Sequence, residues 1–362
     1  MRKLHVGIAG AGLAGRTLAW RLLRAGCRVS LFDARQRGDI NTASMTAAAM
    51  LSPLAELAVA DDEVFAMGSR SLELWPEWIA DMASQGHEVY FRRQGTLVVA
   101  HTQDQSSLEH FTRLLQHKLP DSSKAQLQTL DATALGQMEP ALAGRFSGGL
   151  FLDGEGQLAN DQWMAALAIE IDRLGGEWHE GQTITRVKAK RIVCADASYD
   201  VDVAVDARGV GSKSQWPQVR GVRGEVLTVE CAGVRLQRPV RLMHPRYQLY
   251  VAPRPGNRFV VGATELESED AGPMTLRSTL ELGSALYSLH PAFGEARVLR
   301  LAAALRPALD NHRPAIAFRC GVWHINGLYR HGYLCAPALV DDLAHKLLNE
   351  PVLNENAAHD DA

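Results

Sequence analysis

No two cysteines in this chain have C-x-x-C spacing, and none joins a histidine cluster spaced like zinc ligands. The five present, Cys27, Cys194, Cys231, Cys320 and Cys335, are scattered and odd in number, as expected of reduced thiols in the cytoplasm. Long apolar runs are missing as well. The longest uncharged stretch, from Asn41 to Ala55, is short and rich in Ala, Ser and Thr, which excludes it as a membrane span. Neither sign of charge is in excess: 38 Lys and Arg against 41 Asp and Glu leave a formal net charge of −3. With no Lys/Arg run, neither a nucleic acid nor an anionic membrane is expected as partner. There is no internal repeat and no low-complexity block. Met1 leads within a few residues into a strand-like run, so no signal peptide is expected.

The composition that remains, 46% hydrophobic and 22% charged, is that of a globular protein. At 362 residues the chain exceeds one simple core and suggests two closely connected domains. The first residues are the most informative. "LHVGIA" reads as a short strand, "GAGLAG" as a glycine turn, and "LAGRTLAWRLLRAG" as a helix with Leu13, Leu18, Leu22 and Leu23 at helical spacing. Gly26 ends that helix, and "CRVSLFD" is a second strand closing on Asp33.

Gly10, Gly12 and Gly15 form G-x-G-x-x-G. The first glycine allows the tight turn, the second lets a pyrophosphate approach the backbone, and the third lets helix and strand pack closely. The helix N-terminus offers free N–H groups to the anion. Asp33, at the end of the next strand, is placed to accept ribose hydroxyls. This context predicts dinucleotide binding without separating NAD from FAD. Two features favour FAD. "NTASMTAAAMLSP" (41–53) has small side chains that let a backbone run along an extended ligand, with Ser44 and Thr46 available to phosphate, although it also reads as a plain Ala-rich helix. "VDARGVGSK" (205–213) is a strand ending in a small-residue turn, as expected where a nucleotide-binding sheet resumes after an excursion.

Further helices are expected over 61–83, with Pro76 kinking it, over 107–119, over 159–176 with Asn160 or Asp161 as cap, and over 275–290. From 218 to 265 the texture changes to long strands joined by Pro/Gly turns, which predicts an antiparallel sheet. The fold class is therefore α/β (α+β), a Rossmann-type unit interleaved with an antiparallel-sheet unit. The expected division is 1–85, 145–215 and 315–350 for the nucleotide unit, 86–144 and 216–314 for the substrate unit, and a disordered tail at 351–362.

Several segments together resemble the D-amino-acid-oxidase-like FAD enzymes, and among them the glycine oxidases of thiamine biosynthesis. They are "GAGLAG", "TAAAMLSPLAE", "SLELWPEW", "RGVRGEVLTV", "LYVAPRPGNRFVVGATE", "LELGSALYSLHPAF", "LRPALDNHRP" and "NGLYRHGYLCAPAL", in this order over residues 4–349. The resemblance implies non-covalent FAD lying extended with its ring at the domain interface. It places Leu13 and Ala14 along the pyrophosphate and Asp33 and Ala34 at the ribose. Ser44, Met45, Ala49, Met50 and Leu51 would line the path to the flavin. Ile184 would touch adenine through its backbone, and Gly209 would sit in the returning turn. Leu328, Tyr329, Arg330, His331, Gly332, Tyr333 and Leu334 would run past the flavin ring. It also makes Arg306 the binder of a substrate carboxylate and Tyr250 its pocket partner.

The chain departs from the family pattern at four positions. Ala49 stands where Gly is common, Arg208 in a small-residue turn, Glu265 where some members have an apolar residue, and His331 beside Arg330. Glu265 would either meet a substrate ammonium or point to solvent.

The residues carry their own argument for Arg306. Arginine pairs with two carboxylate oxygens at once, and the apolar context "RLAAALRP" makes an unpaired charge costly, so both a ligand role and a structural ion pair stand open. Tyr250 reads as either a carboxylate donor or a half-buried sheet tyrosine. His179, His244, His312 and His324 are isolated in sequence and expected to be structural or exposed. Gly327 and Gly332 would let backbone approach a flat ring, and Pro337 would sit in the first turn of the last helix.

The expected activity is oxidation of glycine or another small amine or D-amino acid, with hydride transfer to flavin N5 and O2 as acceptor. The expected partners are that substrate, O2 and further copies of the chain. Alternatives are a D-amino-acid dehydrogenase feeding a quinone, a sarcosine-type oxidase, an enzyme trimming a tRNA base, and a flavin binder without catalysis. The low basic charge opposes the tRNA reading.

Overall fold

The computed structural model describes residues 3–244 and 249–349. The tail expected to be disordered lies outside the described residues. Strand β1 (His5–Ala9), helix α1 (Leu13–Arg24) and strand β2 (Arg28–Asp33) open the chain. Helix α1 follows from its sequence: a leucine stripe faces the sheet, Arg21 and Arg24 occupy the last turn where the dipole favours cations, and Gly26 follows at φ +88°. The first and third glycines of the turn are required sterically. Gly10 has φ +100°, and a Cβ on Gly15 would lie 1.8 Å from the Gly10 carbonyl oxygen.

β1 and β2 sit inside a six-stranded sheet with order 315–319, 322–326, 203–206, β1, β2, 177–180. All its neighbours are parallel except the hairpin 315–319/322–326. Val203–Asp206 returns beside β1 after an excursion, the arrangement expected of "VDARGVGSK". The second large sheet has eight strands in the order 297–308, 220–230, 258–262, 249–254, 240–243, 96–100, 148–152, 127–131. It is antiparallel apart from one parallel pair, 240–243 with 96–100. Gly148–Leu152, inside the span assigned to the nucleotide unit, pairs in this second sheet.

The main core packs α1, the helices Asp62–Ser84, Asn160–Arg173 and Gly332–Asn349, and one face of the six-stranded sheet. Trp20, Trp75, Trp78 and Trp163 meet at its centre, with Trp75 and Trp163 edge to face at 4.9 Å. Each such ring removes roughly 200 Å² from water, on the order of 5 kcal/mol at 25 cal/mol/Å². A second core fills the space between the eight-stranded sheet and helix Leu276–Leu289, which Thr275 caps through the Ser278 N–H.

Helix 62–84 contains Pro76 without a break; the Leu72 carbonyl that Pro76 cannot bond meets Arg93 Nη1 at 3.4 Å. Two local expectations are corrected. The last helix begins at Gly332, so Pro337 is interior and not in the first turn. The carbonyl it leaves free, Tyr333 O, accepts the Trp75 indole N–H at 3.1 Å, so the helix tolerates the proline. Helix 160–173 has Ala159 as its N-cap, and neither Asn160 nor Asp161 caps it. The Asn160 amide instead donates to Ser44 O at 2.9 Å, fastening the small-residue segment.

Candidate functional site

A cavity of about 1130 Å³ runs from the glycine turn to the inner face of the eight-stranded sheet. Gly10, Gly12, Leu13, Ala14 and Asp33 line one end. No protein atom lies within 4 Å of the position a Cβ would take on Gly12. The helix N-terminus there is open, so the requirement for glycine at position 12 does not come from the protein. Asp33 Oδ2 accepts the Ala11 N–H at 2.7 Å and Oδ1 accepts the Arg35 N–H at 2.9 Å. A carboxylate oxygen has two lone pairs, so each retains one for a ribose hydroxyl.

Ser44, Ala49, Met50 and Gly209 also line the cavity. The segment 41–53 is not an Ala-rich helix: only Ala43–Thr46 is helical, and Thr42 caps it. Ala49 then takes φ +49°, which explains why glycine would suit the position. Arg254 holds the loop by donating to Ala48 O, and burial lowers its guanidinium to about 10. Arg300 donates to Met45 O at 3.1 Å and to Ile40 O. Thr46 Oγ1 lines the cavity, buried and without a hydrogen-bond partner. An open glycine cradle, a carboxylate with spare lone pairs and an orphaned hydroxyl along one long cavity fit a dinucleotide cofactor.

Leu328, Tyr329, Arg330, His331, Gly332, Tyr333 and Leu334 line the cavity at the start of the last helix. Gly332 is open there, its nearest Cβ neighbour being Leu13 at 3.8 Å. Gly327 has another purpose than approach to a ring. At φ +74° it sits against Leu309 and the Arg313 carbonyl, where a Cβ would be 2.7–2.8 Å from both. Gly15, Ala34, Met45, Leu51 and Ile184 are not among the lining residues. The Ile184 carbonyl accepts from Arg208 Nη1 at 3.1 Å. Arg208 also forms a bidentate pair with the buried Asp206, which accounts for its place in the small-residue turn.

The far end is a cluster of charges. Arg306 Nη1 donates to Thr264 O at 3.0 Å and Arg223 O at 3.4 Å, and no carboxylate of the described residues is in ion-pair distance of it. Its guanidinium lies over Gly224, where a Cβ would be 2.2 Å from Arg306 Cζ. Tyr250 faces Gly262 across the ladder, and a Cβ on Gly262 would be 2.7 Å from the Tyr250 hydroxyl. Burial raises the Tyr250 phenol, which keeps its hydroxyl neutral.

Arg330 contacts Glu56 through Nη2 at 2.8 Å and Glu265 through Nη1 at 3.0 Å. Burial alone would lower its guanidinium, but the two carboxylates outweigh that and raise it. Arg241, opposite Tyr250 in the ladder, reaches the other oxygen of Glu56 at 3.1 Å. Burial opposes charge on Glu56, yet Arg330, His331 and Arg241 hold its carboxyl well below the usual range. His331 Nδ1, buried, lies 3.3 Å from Glu56, close enough to act on its carboxyl without being aligned for a hydrogen bond. Glu265 is paired to Arg330, which the sequence expectation of an ammonium contact or free exposure did not include.

Sequence reasoning missed Glu56, Arg241, Gly224 and Gly262 as site residues. The signal existed for Arg241, which alternates with apolar neighbours on a strand, but its partner Tyr250 is set by hairpin register. Among the histidines, His312 lines the cavity with its ring 4.8 Å from Tyr329. His179 stacks on Phe32 at 4.3 Å, and His324 is buried 3.8 Å from Asp206. No cysteine lines the cavity among the described residues. No group of acidic, histidine or cysteine side chains could hold a metal, and no helix is long and apolar enough to cross a membrane, among the same residues.

Residues 5–345 match the DAO family model, described as FAD dependent oxidoreductase. A Rhizobium etli protein named as a thiamine biosynthesis oxidoreductase is 40% identical over 348 residues, covering 96% of this chain and 97% of its own. A glycine oxidase of Bacillus licheniformis is 25% identical over 370 residues, covering 98% and 96%. The crystal structure of glycine oxidase from Bacillus cereus superposes with a TM-score of 0.82 at 22% identity, covering 96% and 95%, and shows the same fold. The open glycine cradle, the long cavity and these similarities agree: the chain belongs to the DAO family of FAD-dependent oxidoreductases.

Proposed function

We propose that this enzyme oxidises glycine or a comparably small amine or D-amino acid, with O2 as acceptor, to an imine, which for glycine hydrolyses to glyoxylate and ammonia. The observation that carries the reading is Arg306: a guanidinium bonded, among the described residues, only to backbone carbonyls, in a cavity whose other end is a nucleotide cradle. A fork of this kind pairs with a carboxylate at two points and fixes its plane. The neutral Tyr250 hydroxyl adds a donor from strand 249–254 of the same sheet. Leu13, Ala14 and the Gly12 backbone would hold the cofactor's pyrophosphate, Asp33 its ribose, and residues 328–334 its ring, without a covalent link. When bound, FAD supplies the two-electron acceptor and, in its reduced form, the reaction with O2 that yields H2O2.

The chain's own part is positional. Arg306 and Tyr250 orient the carboxylate and thereby the carbon that is oxidised. Tyr329, Tyr333 and Leu334 exclude water from one side. The N-terminus of the last helix points positive dipole into the cavity, where negative charge gathers on reduction. The nucleotide and substrate units assigned from sequence are retained as a proposal, with the cavity between their two sheets. The similarity to a protein named for thiamine biosynthesis supports a role for the product in that process. Release of H2O2 by FAD-loaded protein given glycine, sarcosine and small D-amino acids tests the reading. Turnover of none of them contradicts it, and flavin reduction without O2 uptake favours a dehydrogenase.

A further inference from the structure

The substrate end carries two guanidiniums and two carboxylates besides Arg306. Arg241 and Arg330 share Glu56, at 3.1 and 2.8 Å, and Arg330 is closed on its other side by Glu265 at 3.0 Å. Two guanidiniums against two carboxylates sum to zero, with the His331 imidazole beside them, 3.3 Å from Glu56. Behind them, Arg223 is committed to Glu225 at 2.7 Å and Asp270 at 3.2 Å. Arg306 is thus the guanidinium of this end with no carboxylate in ion-pair distance, among the described residues.

Glu265 is a fixed element of this arrangement. Thr264 N donates to Glu225 O at 3.2 Å, and Leu266 exchanges two backbone bonds with Arg223 at 2.9 and 3.0 Å. The same turn therefore presents Thr264 O to Arg306 and the Glu265 side chain to Arg330. One short segment sets the position of the Arg306 cation and the neutrality of its neighbour.

We infer that Glu265 is a specificity-determining residue: as counter-ion of Arg330 it limits the site to substrates with a single carboxylate. A second carboxylate, as in iminodiacetate or D-aspartate, would meet a neutral cluster containing two carboxylates, and its desolvation would go uncompensated. The inference rests on the proposed carboxylate-binding role of Arg306. Glu265 is 45% exposed, so solvent screens the effect and the discrimination is moderate.

The test titrates the FAD-loaded protein with acetate and with malonate, which differ by one carboxylate, and follows the visible spectrum of the bound flavin. Wild type is expected to bind acetate more tightly than malonate. Glu265→Gln, close in shape and at an exposed position, is expected to shift the ratio toward malonate by about tenfold, the scale of one screened charge. The double variant Glu265→Gln/Arg330→Met is expected to lose that gain, which ties it to Arg330 and not to general loosening. The ratio of kcat/KM for glycine and iminodiacetate is expected to follow. A wild type that binds malonate as tightly as acetate overturns the inference, as does a Glu265→Gln ratio within about twofold of wild type. Failure of the activity reading looks different: no amine is turned over, while the anion titrations still report the counter-charge.

Discussion

The Arg306 guanidinium lies flat over Gly224, on the neighbouring strand of the eight-stranded sheet, so closely that a side chain there would collide with Arg306 Cζ at 2.2 Å. An arginine laid against backbone has few other positions, and its fork is oriented before a ligand arrives. Gly224→Ala is therefore expected to weaken carboxylate binding with FAD retained, seen as a rise in KM larger than the fall in kcat. Arg306→Ala removes the contact itself, a loss on the order of 3 kcal/mol, or roughly a hundredfold in kcat/KM. Steady-state kinetics on both variants, with flavin content measured alongside, checks this.

The glycine turn separates folding from cofactor binding. Gly12→Ala adds a methyl that meets no protein atom within 4 Å, whereas Gly15→Ala drives one onto the Gly10 carbonyl oxygen. The first is expected to leave the far-ultraviolet dichroism of the apoprotein unchanged while FAD affinity falls about tenfold or more. The second is expected to reduce stability by several kcal/mol, on the order of 4, whether or not FAD is present. Denaturant melts of the apoproteins and FAD titration distinguish the two.

Ala49 occupies φ +49°, where an alanine is disfavoured by roughly 1 kcal/mol relative to glycine. Ala49→Gly relieves that and loosens the unfolded chain, so a small net gain of about 0.5 kcal/mol is expected in the apoprotein. Thermal melts against wild type measure it.

Much of this architecture is legible in the chain. The β1–α1–β2 unit is written in a strand, a glycine turn and a leucine stripe that each obey local rules, and Asp33 follows from the length of that unit. The last helix and its glycine-flanked entry are equally local. The charge cluster is not. Glu56 lies in a short helix, Pro53–Leu57, Arg241 in a four-residue strand and Glu265 after a strand end; only sheet register and tertiary packing bring them to Arg330. Gly224 and Gly262 look like ordinary strand glycines until their cross-strand partners are known. Pro337 reads as a first-turn residue for a related reason: the Trp75 indole that satisfies the Tyr333 carbonyl it orphans is distant in sequence.

Glu56 gives the cluster a pH dependence. Its carboxyl is held well below its ordinary value of 4.5, so in the folded state it stays ionised where the unfolded chain would take a proton. Its contribution to stability is full above that ordinary value and is lost as pH falls through the depressed folded value. Glu56→Gln leaves the half-buried Arg241 and Arg330 guanidiniums short of a partner and is expected to cost about 2 kcal/mol at neutral pH. The gap between wild type and variant is expected to narrow on acidification below about pH 4. Urea melts of both proteins across that range check the sign, and a gap that widens toward acid contradicts it.

The central claim is that an FAD-dependent enzyme with an unpaired guanidinium, Arg306, at the substrate end of its cavity oxidises a small amino acid. Its most direct measurement is anaerobic mixing of the FAD-loaded protein with glycine, sarcosine and D-alanine, followed by admission of air. The account predicts bleaching of the flavin band by at least one of them, recovery of colour with one H2O2 released per turnover, and strong loss of bleaching in Arg306→Ala. A flavin that stays oxidised with every one of these amines, in protein fully loaded with FAD, contradicts it.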